Sequence, residues 1–509
     1  ELGRSLLSSD PSSPFGLHLD EQAVVDAFAA AWDVPAAEQH GAVVMVEASD
    51  LARTLRYRGF VDGARYRQLW DRAMADSDRL LGRLLDHVDP ERDTVLVVSP
   101  YNRRGDRDLT IAALRGPGTV PGYLRSASTQ RPGFLTLVDI APTILDRLDL
   151  PRPEDMEGRP AIVSPSSRSL DGRIAHLVDL NRASRFREQL LDPTTIAALL
   201  GMAVVVAGGM ATFANRWGAA ARGAVRFVAL VSLTILPGSY VVRLLDIEDR
   251  GVGFYWLALL AFALVIPVAL TVLGRLTARP RLPLLVVLAL MATVLVVDVV
   301  TGSNLSLSAA FGYSATGNSR LYGISNYSYG QLTAAACLLA TWVASRRPDD
   351  RRARWLAVGL MFATLVVLGV PTWGSDVGGT LAFTPAVALF GAKVFGRRIR
   401  LRTLAVGVLA TAAAILASGF LDLARPANDR SHLGRLFERV GREGLEPLFS
   451  IMERKLLANL QVSTSSLWVV AIPVFVVLWV FLVRFPGRPL ELIRRRLPQL
   501  GAGLAAALV

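Results

Sequence analysis

Apolar and polar positions divide the chain at about residue 195. Before it, short apolar runs alternate with charged stretches; after it, apolar runs of membrane-spanning length recur almost to the end. In the first part, 21–32 has the spacing of an amphipathic helix. The runs 42–47 and 94–99 are of buried-strand type and 66–88 has helical spacing, with Leu69, Met74, Leu80, Leu81, Leu84 and Leu85 on its apolar side. Strand, helix and strand in that order predict a parallel βαβ unit. A third strand is expected over 109–114 and another helix over 135–148, with Pro151, Pro153 and Pro160 marking an exit. Residues 1–165 therefore read as an α/β domain, and 166–194 as a polar helical connector.

The first span is expected over 195–213, an uncharged stretch whose 19 residues suffice to cross a hydrocarbon core of roughly 30 Å, with Asp192 and Pro193 suiting a helix start. Further spans are expected near 227–245, 254–274, 282–300, 329–345, 355–372, 377–395, 403–421 and 467–484. That makes nine, and 500–509 reads as the opening of a tenth in a chain expected to be part of a longer one. Two long polar loops interrupt the series. One is 301–328, rich in Gly, Ser, Asn and Tyr; the other is 422–466, whose apolar residues recur at helical spacing and predict amphipathic surface helices.

Composition supports a membrane protein: 52% of the 509 residues are hydrophobic, 19% are charged, and the mean hydropathy is +0.39. The net charge of +12 does not indicate nucleic acid, because the arginines fall in alternate short loops rather than on one soluble face. Arg216, Arg222 and Arg226, then Arg275, Arg279 and Arg281, then Arg346 to Arg354, then Lys393 to Arg402, and finally Arg484 to Arg496 occupy one set. The loops of the other set, apart from 422–466, hold only Arg243, Arg250 and Arg320. The positive-inside rule places the first set in the cytoplasm, so the protein is expected in the plasma membrane with its N-terminal domain extracytoplasmic. A single cysteine, Cys337, excludes an intrachain disulfide or a cysteine-based zinc cluster.

Candidate chemistry gathers at the expected outer face. Arg320, Tyr322 and Asn326 place a planar cation beside aromatic and amide groups, a combination suited to the phosphate of a membrane lipid or lipid-linked glycan. Asp376, at the mouth of a span, is a cation or substrate ligand or a helix N-cap, and Asp298 raises the same question inside a span. Arg454 and Lys455 are further phosphate partners, or amphipathic-helix cations that snorkel. Among the histidines, His18, His40, His87 and His432 lack ligand-like partner spacing. Asp106 and Asp108, beside Arg103, Arg104 and Arg107, read as a solvated turn. No cofactor is evident from these residues, and nothing identifies a protein partner.

The segment 129–159, with Asp139, Pro142, Thr143, Ile144 and Leu145 followed by Pro151, Met156, Gly158 and Arg159, resembles the closing part of the alkaline phosphatase superfamily. That superfamily includes phosphodiesterases, sulfatases and phosphoethanolamine transferases. The resemblance covers only the second half of such a domain. It implies one or two divalent metals (Zn or Mn) held by Asp and His, and a Thr, Ser or formylglycine nucleophile early in the domain. Asp50 matches a family aspartate, but Thr54 stands where a histidine is expected, and Ser99, Pro100, Tyr101 and Asn102 replace the Asp-His turn. A metal is therefore expected only if residues preceding this chain supply its ligands, and the domain reads as a non-catalytic descendant of the fold. A domain of this kind ahead of many spans is similar to membrane glycolipid phosphoethanolamine transferases and to actinobacterial envelope proteins. That implies envelope lipid or glycan biogenesis. The alternatives are a transporter or flippase with the domain as a lid, or a glycan ligase, faintly suggested by 320–326.

Overall fold

The computed structural model describes residues 4–38, 41–100, 107–153, 156–214, 218–318, 320–397, 401–426, 430, 432–485 and 489–507. His40, Tyr101, Asn102, Arg103, Arg104, Asp106 and Arg216 lie outside the described residues, as does the side chain of His432. The chain forms two compact units: Glu1–Leu124 with Leu137–Ser167, and Arg125–Thr136 with Arg168–Val509.

In the first unit, β1 (Leu7–Ser9) pairs antiparallel with β2 (Leu17–Leu19), and α1 (Glu21–Glu38) follows. Then come α2 (Ser49–Tyr57) and α3 (Gly63–Leu85), which starts at Asp62, whose carboxylate accepts from the amides of Ala64 and Arg65. Val24 and Val25 of α1 bury against Leu80 of α3. At the rim of this contact Glu21 receives Arg79 and Arg83, at 3.0 and 3.1 Å.

The sheet differs from expectation. Strand β3 (Val95–Val98) forms where predicted, but its partner is β4 (Ala112–Arg115), antiparallel, with Val95 opposite Arg115. Residues 42–47 are not a strand. The parallel unit is thus replaced by a pairing of strands adjacent in sequence, which closes a shorter loop than the crossover would. Strand β5 (Gly122–Arg125) pairs with β6 (Ile162–Pro165). Between them α4 (Ile140–Arg147) carries Pro142 to Leu145 of the phosphatase-like motif, and Asp139 and Thr143 bond to the segment that follows. Asp139 accepts the Arg159 amide at 2.9 Å, and Thr143 accepts the Ala161 amide at 2.8 Å. Gly158 has φ +86°, and a Cβ there would lie 2.0 Å from the Val138 carbonyl oxygen, so only glycine fits.

The second unit is helical. α5 (Leu170–Phe213) runs unbroken for 44 residues, roughly 66 Å. It therefore does not start at Pro193, as the sequence suggested. Ser169 caps it, accepting from the Gly172 amide, and Pro193 lies inside. Next come α6 (Ala219–Val241), α7 (Ile247–Leu276), α8 (Leu282–Val300), α9 (Asn326–Arg346), α10 (Arg351–Gly369), α11 (Val377–Val394) and α12 (Leu401–Leu423). The amphipathic pair α13 (His432–Glu443) and α14 (Glu446–Ser465) follows. The last helices are α15 (Ala471–Arg484), α16 (Pro489–Arg496) and α17 (Leu500–Ala507).

Among the described residues, seven helices are long and apolar enough to cross a membrane: α5 to α8, α10, α11, and α15 with the turn before it. The chain thus has the features of a multi-pass integral membrane protein. Of the nine expected spans, α9 and α12 are not among the seven; the described apolar stretch of α12, Gly407–Leu423, is shorter. α9 buries Ala335, Ala336, Ala340 and Ala344 in the core of the unit, where small side chains let neighbouring helices approach closely. One such neighbour is α17, where a Cβ on Gly503 would stand 2.0 Å from Thr341 Oγ1.

Candidate functional site

The polar residues of 301–325 are not a loose connector. They fold into the second unit, where Ser303, Ser306, Phe311, Leu321 and Ile324 are fully buried. An irregular segment can lie there only if its backbone groups find partners within the protein. Asp298, 2% exposed near the end of α8, supplies several. Its carboxylate accepts from the amides of Leu305 (2.7 Å) and Ser306 (2.9 Å) and from the Ser306 hydroxyl. The Tyr240 hydroxyl of α6 donates to the Phe311 carbonyl at 2.8 Å and lies 3.0 Å from Ser328 Oγ on α9.

Arg320 lies in this network. Its guanidinium donates to the carbonyls of Ser375 and Ile324, each at 2.7 Å, and to the Tyr313 hydroxyl at 3.4 Å, and it stands 5.8 Å from the ring centre of Tyr322. Tyr313 in turn donates to the Tyr322 carbonyl at 2.7 Å. Burial pushes the Tyr313 phenol up to about 12, with Arg320 opposing the shift. The Ser375 contact brings Arg320 to the turn that ends at Asp376. Asp376 caps α11, its carboxylate accepting from the Gly379 amide at 3.0 Å. Arg320, Tyr322 and Asp376 therefore belong to one cluster joining 301–325 to the α10–α11 turn. Asn326 is the exposed first residue of α9 and has no side-chain bond into the cluster among the described residues. Arg454 is exposed on α14, which also carries Lys455.

Two groups, one half-buried and one buried, were not legible as site residues. Arg131, in the short stretch assigned to the helical unit, donates from Nε to the Leu321 carbonyl (2.6 Å) and from Nη1 to Asn304 Oδ1 (2.8 Å). Its Nη2 donates to the carbonyls of Gly302 (2.7 Å) and Ser303 (2.8 Å). Burial lowers the Arg131 guanidinium from its ordinary value, with Asp298 and Tyr313 acting against the shift. The second group is a buried ion pair, Arg187 to Glu188 at 2.6 Å, on α5. Arg187 also donates to the Ala309 carbonyl, and Glu188 accepts from Ser314 at 2.6 Å. In sequence, Arg187 and Glu188 merge with a charge-rich connector.

The metal chemistry implied by the phosphatase resemblance finds no fit at Asp50. Asp50 lies on α2 rather than after a strand; both carboxylate oxygens accept from the Leu19 amide, and it pairs with Arg53. Thr54, at the position of the missing imidazole, is buried. Among the described residues, no three His, Cys, Asp or Glu side chains come together as a metal site. In comparisons with known proteins, no family model matches the chain, and no curated protein or solved structure does.

Proposed function

We propose that this chain is a plasma-membrane protein of envelope lipid or glycan biogenesis, with its N-terminal domain outside the cytoplasm. It holds a phosphate-bearing or lipid-linked substrate at the outer ends of its helices. The observation that carries this reading is the position of Arg320. Three of the five N–H donors of its guanidinium have partners among the described residues, and Tyr313, Tyr322 and the Asp376 turn surround it. A guanidinium fixed by backbone carbonyls but not ion-paired keeps its charge for an anionic ligand. The ends of α8 and α10 and the start of α9 meet in this cluster, whereas the arginine-rich turns join the other ends of these helices. This supports the assigned sidedness. The N-terminal domain acts as a non-catalytic descendant of the phosphatase fold, in keeping with the commitment of Asp50 to Leu19 and Arg53.

The test is retention of a polyprenyl phosphate, against the matching polyprenol, by the purified chain in lipid nanodiscs. Preferential retention of the phosphate is expected, preserved in Arg320→Lys and lost in Arg320→Gln, with thermal melting showing both variants folded. Equal retention of alcohol and phosphate by the wild-type chain would sink the proposal.

A further inference from the structure

A second feature lies on α10 and is independent of the Arg320 cluster. One face of this helix bears an open groove of about 720 Å³ lined by Arg352, Trp355, Leu356, Gly359, Leu360 and Ala363. Their spacing puts them on a single stripe. Trp355 and Leu356 are 56% and 69% exposed, and a Cβ on Gly359 would meet nothing within 4 Å, so the stripe has a notch near its middle.

The two ends of the stripe differ. From Leu356 to Ala363 it carries no charge, whereas Arg352 stands at the helix start with Arg351, both exposed. Among the described residues neither side chain has an ion-pair partner. The nearby Arg347 and Arg354 make long ion pairs, 3.8 and 3.9 Å from Asp350 and Asp349, and Arg354 Nε also donates to the Pro348 carbonyl at 2.7 Å. Trp355 packs at 4.9 Å on Phe395, and Trp342 lies under Arg346 at 5.4 Å, so two indoles sit near the cationic end, as they do at a membrane–water interface. From Arg352 to Ala363 is eleven residues, or roughly 16 Å of helix, close to half of a hydrocarbon core of about 30 Å.

We infer that this groove binds one anionic phospholipid of the leaflet facing the arginine-rich turns, its headgroup phosphate on Arg351 and Arg352 and an acyl chain along Leu356, Gly359 and Ala363. Net charge selects the occupant, because a zwitterionic lipid brings the same phosphate but with a headgroup cation that the two arginines repel, whereas an anionic lipid brings none. Length selects it too, because the groove ends where one leaflet ends.

The experiment uses the full chain in nanodiscs containing brominated phosphatidylglycerol or brominated phosphatidylcholine. Subtracting the signal of Trp355→Phe isolates quenching of Trp355. Phosphatidylglycerol is expected to compete roughly thirtyfold more strongly than phosphatidylcholine, the combined effect of two arginines at a membrane surface. Arg352→Gln should bring the ratio to about fivefold, and Arg351→Gln with Arg352→Gln close to one. Gly359→Leu, which fills the notch on an open face, should weaken quenching by both lipids without lowering the melting temperature. Equal quenching by the two lipids in the wild-type chain overturns the proposal. So does a Trp355 shielded from both because a second copy covers the Gly359–Ala363 stripe, which crosslinking would show. Substitutions at Arg320 leave this readout unchanged, so the two proposals fail separately.

Discussion

Arg131 Nη1 donates to Asn304 Oδ1 across 2.8 Å, joining residues 173 apart in sequence. With the carbonyls of Gly302, Ser303 and Leu321 also bonded to this guanidinium, Arg131 acts as a clamp on the segment between α8 and α9. Arg131→Ala leaves these acceptors short of a donor and should cost about 2 to 3 kcal/mol. Arg131→Lys, which lacks the planar fork, should recover only part of that. Melting of the detergent-solubilised chain and protease cleavage within 301–325 would measure both. A protected segment and an unchanged melting temperature in Arg131→Ala would show that the clamp is dispensable.

Asp298 holds the same segment from the end of α8. The residue is 2% exposed, and its carboxylate accepts from two amides and a hydroxyl. Asp298→Asn substitutes a donating NH2 for one acceptor oxygen and sets it against an N–H or O–H. The expected loss is about 2 to 4 kcal/mol, seen as a lower melting temperature and a newly cleavable 301–325 segment. An unaltered melt would refute the assignment of Asp298 as the organiser of this segment.

Gly323 makes the third attachment. Its φ is +78°, and a Cβ there would stand 2.2 Å from the Gly374 carbonyl oxygen, which accepts the Ile324 amide at 2.9 Å. Gly323→Ala therefore combines left-handed strain with a backbone clash and should destabilise by more than about 2 kcal/mol. Gly330→Ala is the control, since nothing lies within 4 Å of that position and it sits within α9. Similar melts for the two variants would argue that 301–325 and the α10–α11 turn are not rigidly joined.

The helices were legible because their signal is local. The apolar runs expected as spans fall on helices α5 to α12 and on α15 with the turn before it, seven of them long and apolar enough to cross a membrane among the described residues, and the spacing of 422–466 matches α13 and α14. Partners were harder to read. Val95–Val98 reads correctly as a strand, yet its pairing with Ala112–Arg115 depends on closure of a loop that residue patterns do not encode. Pro193 looks like a helix start because proline is favoured there, but α5 carries it internally, since a long helix packed among others tolerates one missing N–H. At the site, Asp298 and Arg320 stand out as isolated charges in apolar or aromatic surroundings. Arg131 and Arg187 do not, because each lies among other polar residues in the sequence and its partners come from distant parts of the chain.

The N-terminal unit should carry an acid-sensitive contact. Asp20 accepts from the Ala23 amide at 3.1 Å and the Ser8 hydroxyl at 2.8 Å, and these bonds hold its carboxyl below the ordinary 3.8. Arg79 and Arg83 lower Glu21 from 4.5 in the same way. A carboxyl lowered on folding stabilises the fold fully above its unfolded value, and that contribution is lost as the pH falls through the folded one. Protease susceptibility of 1–85 should therefore rise below about pH 4. Asp20→Asn with Glu21→Gln should start less stable and flatten the dependence. Parallel pH profiles for wild type and double variant would exclude these two groups as its source.

Labelling can decide whether α10 crosses the bilayer. The only native cysteine, Cys337, is buried, so the wild-type chain should give no signal with a membrane-impermeant maleimide. Asp349 and Thr372 flank α10 and are both exposed. Only the 19 apolar-rich residues of Arg351–Gly369 and a few turn residues separate them. If that helix spans the membrane, Asp349→Cys and Thr372→Cys must label from opposite faces. The positive-inside argument further requires that Thr372→Cys react in intact cells and Asp349→Cys only after permeabilisation. Labelling of both from outside would remove α10 from the set of spans and exchange the sides of every later turn. The reverse pattern would keep the span and place the Arg320 cluster in the cytoplasm, where an envelope substrate does not reach it.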